Sequence, residues 1–503
     1  MDKNMNHCFK NLGAGLPDDI RRLKEAGYID EAIRLIDLRL AENWKETENR
    51  PATYGVRETA AIPPLNPLTT VPSAMKDAML AEREMMRRLA DDYIYTREEA
   101  VKMACELIPD FTSEEFDKMT DMDLADWRFI NGEKKFSSSW LSTQLGTNAG
   151  FAKRAGRPHG NEFYERIHGA MDEMRENGYT TREITIKSEI HATDDAFKRA
   201  LAAANAEGRD TVNVKAWLPV PKACASQSNI IIKTEDDEIL KVVSPEDSPA
   251  RTVYFTADLK ENRKFTVEYT YTQTAGLTDF IKNIAPYKGK EESFGDKYLK
   301  EELPHIEFTP YLKALTAEIT AGAKTPLEKA RRIYDCICKN VKYRYMPEYF
   351  ELESIGDNCM RNRRGDCGVM AIAFITMCRI AGIPAKWESG LSARPDGAGC
   401  HDWAKFYIEE YGWLWCDPSY GVCCARNGDE EGRLHYFGNL DAYRMVANSE
   451  LMQDFDIPVT DFRHDPCDNQ TGEIMLDGKT LFGGDSEHTI LLEKCLHPDK
   501  KII

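Results

Sequence analysis

The sequence predicts an α+β chain in three parts. These are a helical N-terminal region over residues 1–180, a small β-sandwich domain over 181–275, and a mixed domain with an antiparallel sheet over 276–503. Three observations predict it. Apolar residues recur at helical spacing in the first part, as in Ile20, Leu23, Ala26 and then Ala32, Ile33, Ile36, Leu40. From Thr181 the period changes to two, so that Val212, Val214, Ala216, Leu218 and later Phe265, Val267, Tyr269, Tyr271 alternate with polar residues. Beyond residue 325 a strong helix, an apolar helix and two alternating strands follow one another. A length of 503 residues agrees with about three domains at roughly 150 residues each.

In the first part, Gly27-Tyr28-Ile29-Asp30 separates two helices and predicts a helix hairpin. Residues 51–72 hold five prolines and also Ile62, Leu65, Leu68 and Val71. That composition predicts a strap packed on the surface, which either only covers apolar surface or also narrows access to a site. Thr96-x-x-Glu99 and Thr112-x-x-Glu115 fit the capping box, in which each side chain satisfies the other residue's free amide. Residues 153–160 read as a loop, followed by a helix to about Asn177. In the second part, 229–232 and 252–255 add short strands, and turn residues space the runs as in a β-sandwich. Residues 276–325 connect to the third part, where Thr325-Pro326 starts a helix through Leu327, Ile333, Ile337 and Val341, with proline at its favoured first position.

The chemistry concentrates in the third part. Arg364-Gly365-Asp366-Cys367-Gly368 precedes an apolar run, Met370, Ala371, Phe374, Ile375, Cys378, Ala381, which Gly382-Ile383-Pro384 ends. Asp366 fits the N-cap, so Cys367 falls in the first turn, where free amides and the helix dipole are expected to favour a thiolate. Residues 401–408 then alternate as a strand, Glu410-Tyr411-Gly412 suits a three-residue hairpin loop, and Trp413–Asp417 returns before Pro418. With Glu409 opposite Trp413, Lys405 faces Asp417. His401 lies on the same face, four positions or roughly 13 Å away. The pattern supports a His–Asp pair if a bend or bulge closes that offset.

These pieces, in this order, resemble the transglutaminase-like superfamily: Gly365-Asp366-Cys367 before the apolar helix, Ala381-Gly382-Ile383-Pro384-Ala385, His401-Asp402-Trp403-Ala404, Trp415 and Asp417-Pro418-Ser419. The set covers roughly residues 330–420, and the first 275 residues lie outside it. The resemblance implies a papain-like α+β core with Cys367 as nucleophile, His401 as base and Asp417 as the acid that orients it. It also implies an oxyanion donor upstream of the nucleophile, for which Tyr343 and Tyr345 are the candidates. The implied activity is acyl transfer from peptide or amide bonds through a thioester. Hydrolysis is favoured; an amine-accepting transglutaminase or a non-catalytic interaction protein on the same fold are the alternatives.

Other features narrow the class. The net charge of −18 argues against binding nucleic acid or anionic membrane, both of which need basic surface. Residues 1–7 contain no apolar stretch and no run of about 18 apolar residues occurs, so a cytoplasmic location is expected. Fourteen cysteines without a Cys-x-x-Cys pair read as free thiols; neither structural zinc nor a cofactor is expected. A metalloprotein using Cys400, His401 and Cys416 is the remaining competitor. Arg361, Arg363 and Arg364 could hold a substrate carboxylate, although the substrate-binding residues are otherwise unassigned. The expected partner is a peptide or protein substrate.

Overall fold

The computed structural model describes residues 5–41, 71–285 and 294–497. Most of the proline-rich stretch 51–72 therefore lies outside the described residues. The chain mixes helices with antiparallel sheets and divides into two compact units, residues 7–141 and residues 1–6 with 142–503. The sequence-based boundaries were 180 and 275 instead. No helix among the described residues is long and apolar enough to cross a membrane.

The first unit contains the expected hairpin, Asp18–Glu25 and Ile29–Ala41. The Arg97–Leu107 helix starts at a full capping box of Thr96 and Glu99, and Thr112 accepts from the Glu115 amide at 3.1 Å at the start of Ser113–Asp121. It is not purely helical. Tyr93–Tyr95, Trp127–Ile130 and Glu133–Ser137 form a three-stranded sheet. The signal was Asn131-Gly132, a pair with both φ angles positive, which is what a tight hairpin turn requires.

In the second unit, the Glu162–Asn177 helix ends at Gly178 in the left-handed conformation, and Tyr179–Ala192 follows as a long strand. Two sheets share one core that includes Ile184, Ile186, Val214, Ala216, Phe255 and Tyr271. Two features depart from an all-β segment confined to 181–275. A helix, Asp194–Ala206, interrupts the strands, capped by Thr193 and rich in alanine. Strands Glu473–Leu476, Lys479–Thr480 and Ser486–Leu496 come from the other end of the chain to complete both sheets. Leu391, Ala393, Met445 and Ala447 of the third sheet also enter this core, so burial joins segments that sequence order separates.

That third sheet positions the site. It has five strands, with Ala385–Arg394 flanked by Gly397–Ile408 and Arg444–Asn448, and Gly397–Ile408 paired in turn with Gly412–Cys416. The Cys367–Ile380 helix packs on one face of it; Ile372, Phe374, Ile375 and Met377 are fully buried with Ala385, Trp387, Ala404 and Phe406. A helix buried all round is held by its surroundings. Truncating Phe374 to alanine should therefore cost about 3–5 kcal/mol.

Candidate active site

The Cys367–Ile380 helix starts as the sequence anticipates. Asp366 is its N-cap, and its Oδ1 accepts from the Val369 amide at 3.1 Å, which fixes Cys367 in the first turn. The segment leading to it, Arg364–Gly365, pairs in parallel with Lys342–Tyr343. This brings the 343–351 loop over the start of the helix.

The hairpin register differs from the expected one. Gly412, at φ 75°, opens the return strand opposite Ile408, so the loop residues are 409–411 and Lys405 pairs with Trp415. Continuing that register puts Asp417 opposite Trp403, two positions from His401 and roughly 7 Å away. The parity argument stands, and the gap is half as large. It closes because the chain leaves the strand at Asp417 (φ −114°, ψ 89°), which caps the Pro418–Arg426 helix. Its Oδ1 accepts from the Tyr420 amide and the Ser419 hydroxyl, both at 2.9 Å. Its Oδ2 is left facing His401 Nε2 at 2.7 Å.

Alternation along Gly397–Ile408 divides the site. Ala404 and Phe406 enter the core under the cysteine helix, whereas Trp403 enters a separate cluster with Trp415, Tyr420 and Tyr436. His401 follows Trp403, and its ring lies 4.8 Å from that of Tyr420. Asp402 follows Ala404. The Cys367 thiol accordingly donates to Asp402 Oδ2 at 3.3 Å, and no hydrogen bond joins it to His401. Tyr349 donates to Asp366 Oδ1 at 2.7 Å and approaches Asp402 Oδ2 at 3.4 Å, and Gln470 donates to Asp402 Oδ1 at 2.5 Å.

The electrostatics follow these partners. Asp417 is fully buried, which raises its pKa, but the His401 imidazole and the Arg444 guanidinium outweigh that and hold it at about 2. Arg444 Nη2 lies 3.1 Å from both Asp417 Oδ2 and Asp441 Oδ2. Burial lowers the His401 pKa against the pull of Asp417, which keeps the imidazole neutral. An ionised carboxylate only accepts, so Nε2 carries the proton donated to Asp417 and Nδ1 keeps its lone pair. The thiol behaves opposite to the expectation from the helix dipole. Burial, then the nearby Asp402 and Asp366 charges, push Cys367 well above the ordinary cysteine value. Burial and Asp366 raise Asp402 in turn to about 7.

The other sequence candidates fare differently. Tyr343 lies within electrostatic reach of Cys367 but does not hydrogen-bond to it, and Tyr345 is 41 % exposed, its hydroxyl against Gly146. Arg361 is engaged with Asp357 and stacks 4.3 Å over Tyr311; Arg363 is exposed in the left-handed conformation. Cys400, His401 and Cys416 do not converge as metal ligands: Cys400 is exposed, Cys416 enters the core under the cysteine helix and His401 turns to Asp417. Among the described residues, His7, Cys8 and Asp77 do bring ligating atoms together. Cys8 Sγ lies 3.4 Å from His7 Nε2 and 3.9 Å from Nδ1, too evenly between the two nitrogens to lie along the Nε2 lone pair. An ion on the Nε2 lone pair is thus out of reach of the sulfur unless the ring turns. Sequence reasoning missed Tyr349, which lies inside the matching stretch but outside its motifs, and Gln470 and Arg444, which lie beyond it, and gave Asp402 no role although it stands inside His-Asp-Trp.

Residues 313–418 match the transglutaminase-like superfamily. The uncharacterized protein YebA of Bacillus subtilis (strain 168) is 22 % identical over 174 residues, which cover 30 % of this chain; the chain spans only 23 % of that protein's length. A candidate cysteine protease from Cytophaga hutchinsonii aligns with 65 % of this chain and 94 % of its own, at 15 % identity and a TM-score of 0.39. The periplasmic domain of TgpA from Pseudomonas aeruginosa aligns with 49 % of this chain and 98 % of its own, at 15 % identity and a TM-score of 0.24.

Proposed function

We propose that a chain with this transglutaminase-like core is a cysteine-dependent acyl-transfer enzyme that opens peptide or amide bonds through a thioester on Cys367. The observation that carries the reading is the His401 Nε2 to Asp417 Oδ2 hydrogen bond at 2.7 Å, on the strand whose next residue, Asp402, accepts from the Cys367 thiol. It fixes the imidazole in the tautomer that leaves Nδ1 free to take a proton.

The chain's own groups then divide the work. Nδ1 of His401 takes the Cys367 proton, and the sulfur adds to the carbonyl carbon. The imidazolium, held by ionised Asp417, returns the proton to the leaving amine. In this reading the Cys367 backbone amide, at the start of its helix, donates to the developing oxyanion. Water is the acceptor in this reading, which makes the enzyme a peptidase or amidase.

The test is a peptide-library assay with water and primary amines compared as acceptors, on the wild type and Cys367→Ser. Release of new amino termini that depends on Cys367 is the expected result. Incorporation of amine at a rate above hydrolysis would move the reading to a cross-linking enzyme, and turnover by the serine variant would end it.

A further inference from the structure

In the resting arrangement the thiol proton points at a carboxylate and not at the imidazole. We propose that Asp402 is a clamp on the nucleophile: its Oδ2 holds the Cys367 S–H, keeps it from His401, and must release it before the thiol can react. The inference rests on Cys367 being the nucleophile of the proposed reaction.

Four independent features build the clamp. The Sγ to Oδ2 distance is 3.3 Å, a direct hydrogen bond. Gln470 fixes the other oxygen at 2.5 Å and also donates to the His401 carbonyl at 3.1 Å, which ties the carboxylate to its own strand. Tyr349 spans Asp366 and Asp402, joining the helix cap to the clamp. Gly368 makes room for them, since a methyl group there would run into both the Tyr349 hydroxyl and the Asp402 carboxylate.

The groups facing Asp402 come from four elements. They are Tyr349 from the 343–351 loop, Asp366 and Cys367 from the helix start, Cys400 from its own strand, and Asp465, Cys467, Asp468 and Gln470 from the 464–472 loop. The charges of Asp366 and Asp465 act against ionisation of Asp402. Buried Asp468, 3 % exposed, is also pushed well above the carboxylate range, by burial and then by Asp465 and Asp402. A substrate that displaces the 464–472 loop or brings a cation beside Asp402 weakens the hold. On release the S–H bond breaks and an Nδ1–H bond forms on His401. Thiolate and imidazolium result, and Asp402 keeps its charge against Tyr349 and Gln470.

The experiment is the pH dependence of iodoacetamide alkylation of the full chain, read at Cys367 by peptide mass spectrometry, for the wild type and Asp402→Asn. Removing the charge beside the sulfur should lower the Cys367 midpoint by about one pH unit, a roughly tenfold faster reaction at neutral pH. The other cysteines should not change. An unchanged or higher midpoint in a folded variant overturns the clamp. If the variant does not fold, an infrared difference spectrum of wild type against Cys367→Ala serves instead. Its S–H band should move to higher frequency as acid protonates Asp402, and a band that ignores pH overturns the proposal. Both readouts follow the thiol and not turnover, so a failed function reading leaves them interpretable.

Discussion

Asp402 and Asp417 are both buried aspartates, one in the middle of the histidine strand and one just past the end of its neighbour, yet one is raised to about 7 and the other lowered to about 2. Desolvation acts the same way on each, so the difference comes from the partners. Asp417 receives an imidazole N–H, a guanidinium, a backbone amide and a hydroxyl. Asp402 receives a thiol, a tyrosine and an amide, and sits among other acids. One face of the histidine strand is therefore a settled ion network. The other is a crowded set of carboxyls around a thiol. A bound charge is cheap where counter-charge is built in and unstable where it is not, and the second kind of place is where a substrate can change the outcome.

The largest effect should separate the two faces outright. Cys367→Ser is expected to lower turnover by about 10⁴-fold with stability nearly unchanged, because a buried hydroxyl can still donate to Asp402. Asp417→Asn should cost about 10³-fold or more in kcat, since an amide can donate to Nε2 and so favour the wrong tautomer. Comparing kcat with the melting transition checks both. If Asp417→Asn keeps its activity, the imidazole face is structural.

Arg444→Met tests the ion network as architecture. Arg444 is completely buried between Asp417 and Asp441, its guanidinium 4.3 Å over the Tyr420 ring. Removing it leaves two buried carboxylates without their cation, at a cost of about 3–5 kcal/mol by denaturant unfolding. The loss should be largest near neutral pH. Asp417 has its pKa lowered by folding, so its contribution is present above the unfolded value of 3.8 and fades as pH falls through about 2. A variant as stable as the wild type at neutral pH would show that the network is not what holds Asp417 ionised.

The sequence made local geometry legible and left distant geometry dark. Asp366, Thr96 and Thr325 cap helices because their side chains reach amides three residues on. The two-residue period put His401 and Asp417 on one face even though the turn was misplaced by one residue. Arg444, Tyr349 and Gln470 carry no such local mark; only burial of segments far apart in sequence brings them in. The thiol was misjudged for a related reason. The helix dipole can be read from the order of residues, whereas the carboxylate opposite Cys367 follows from strand parity together with which face the helix covers.

The smallest effects give the finest test of the contrast, through two variants that each delete one hydroxyl donor to a buried carboxylate. Ser419→Ala removes the 2.9 Å bond to Asp417, and Tyr349→Phe removes the 2.7 Å bond to Asp366 with its reach to Asp402. Each should cost about 1 kcal/mol, but the pH dependence should differ. Asp417 keeps His401, Arg444 and an amide, so it stays ionised and the Ser419→Ala cost should be flat from pH 5 to pH 8. Asp366 and Asp402 have folded pKa values of about 6 and about 7, raised above the ordinary 3.8. Stability from such groups is full below the unfolded value and is lost as pH rises through the folded one. Losing the tyrosine donor raises them further, so the Tyr349→Phe cost should be small near pH 5 and grow toward pH 8. Unfolding curves at the two pH values decide it. Parallel behaviour of the two variants would mean that the crowded acids at the thiol face are as well served by charge as Asp417, and the contrast between the faces would fall.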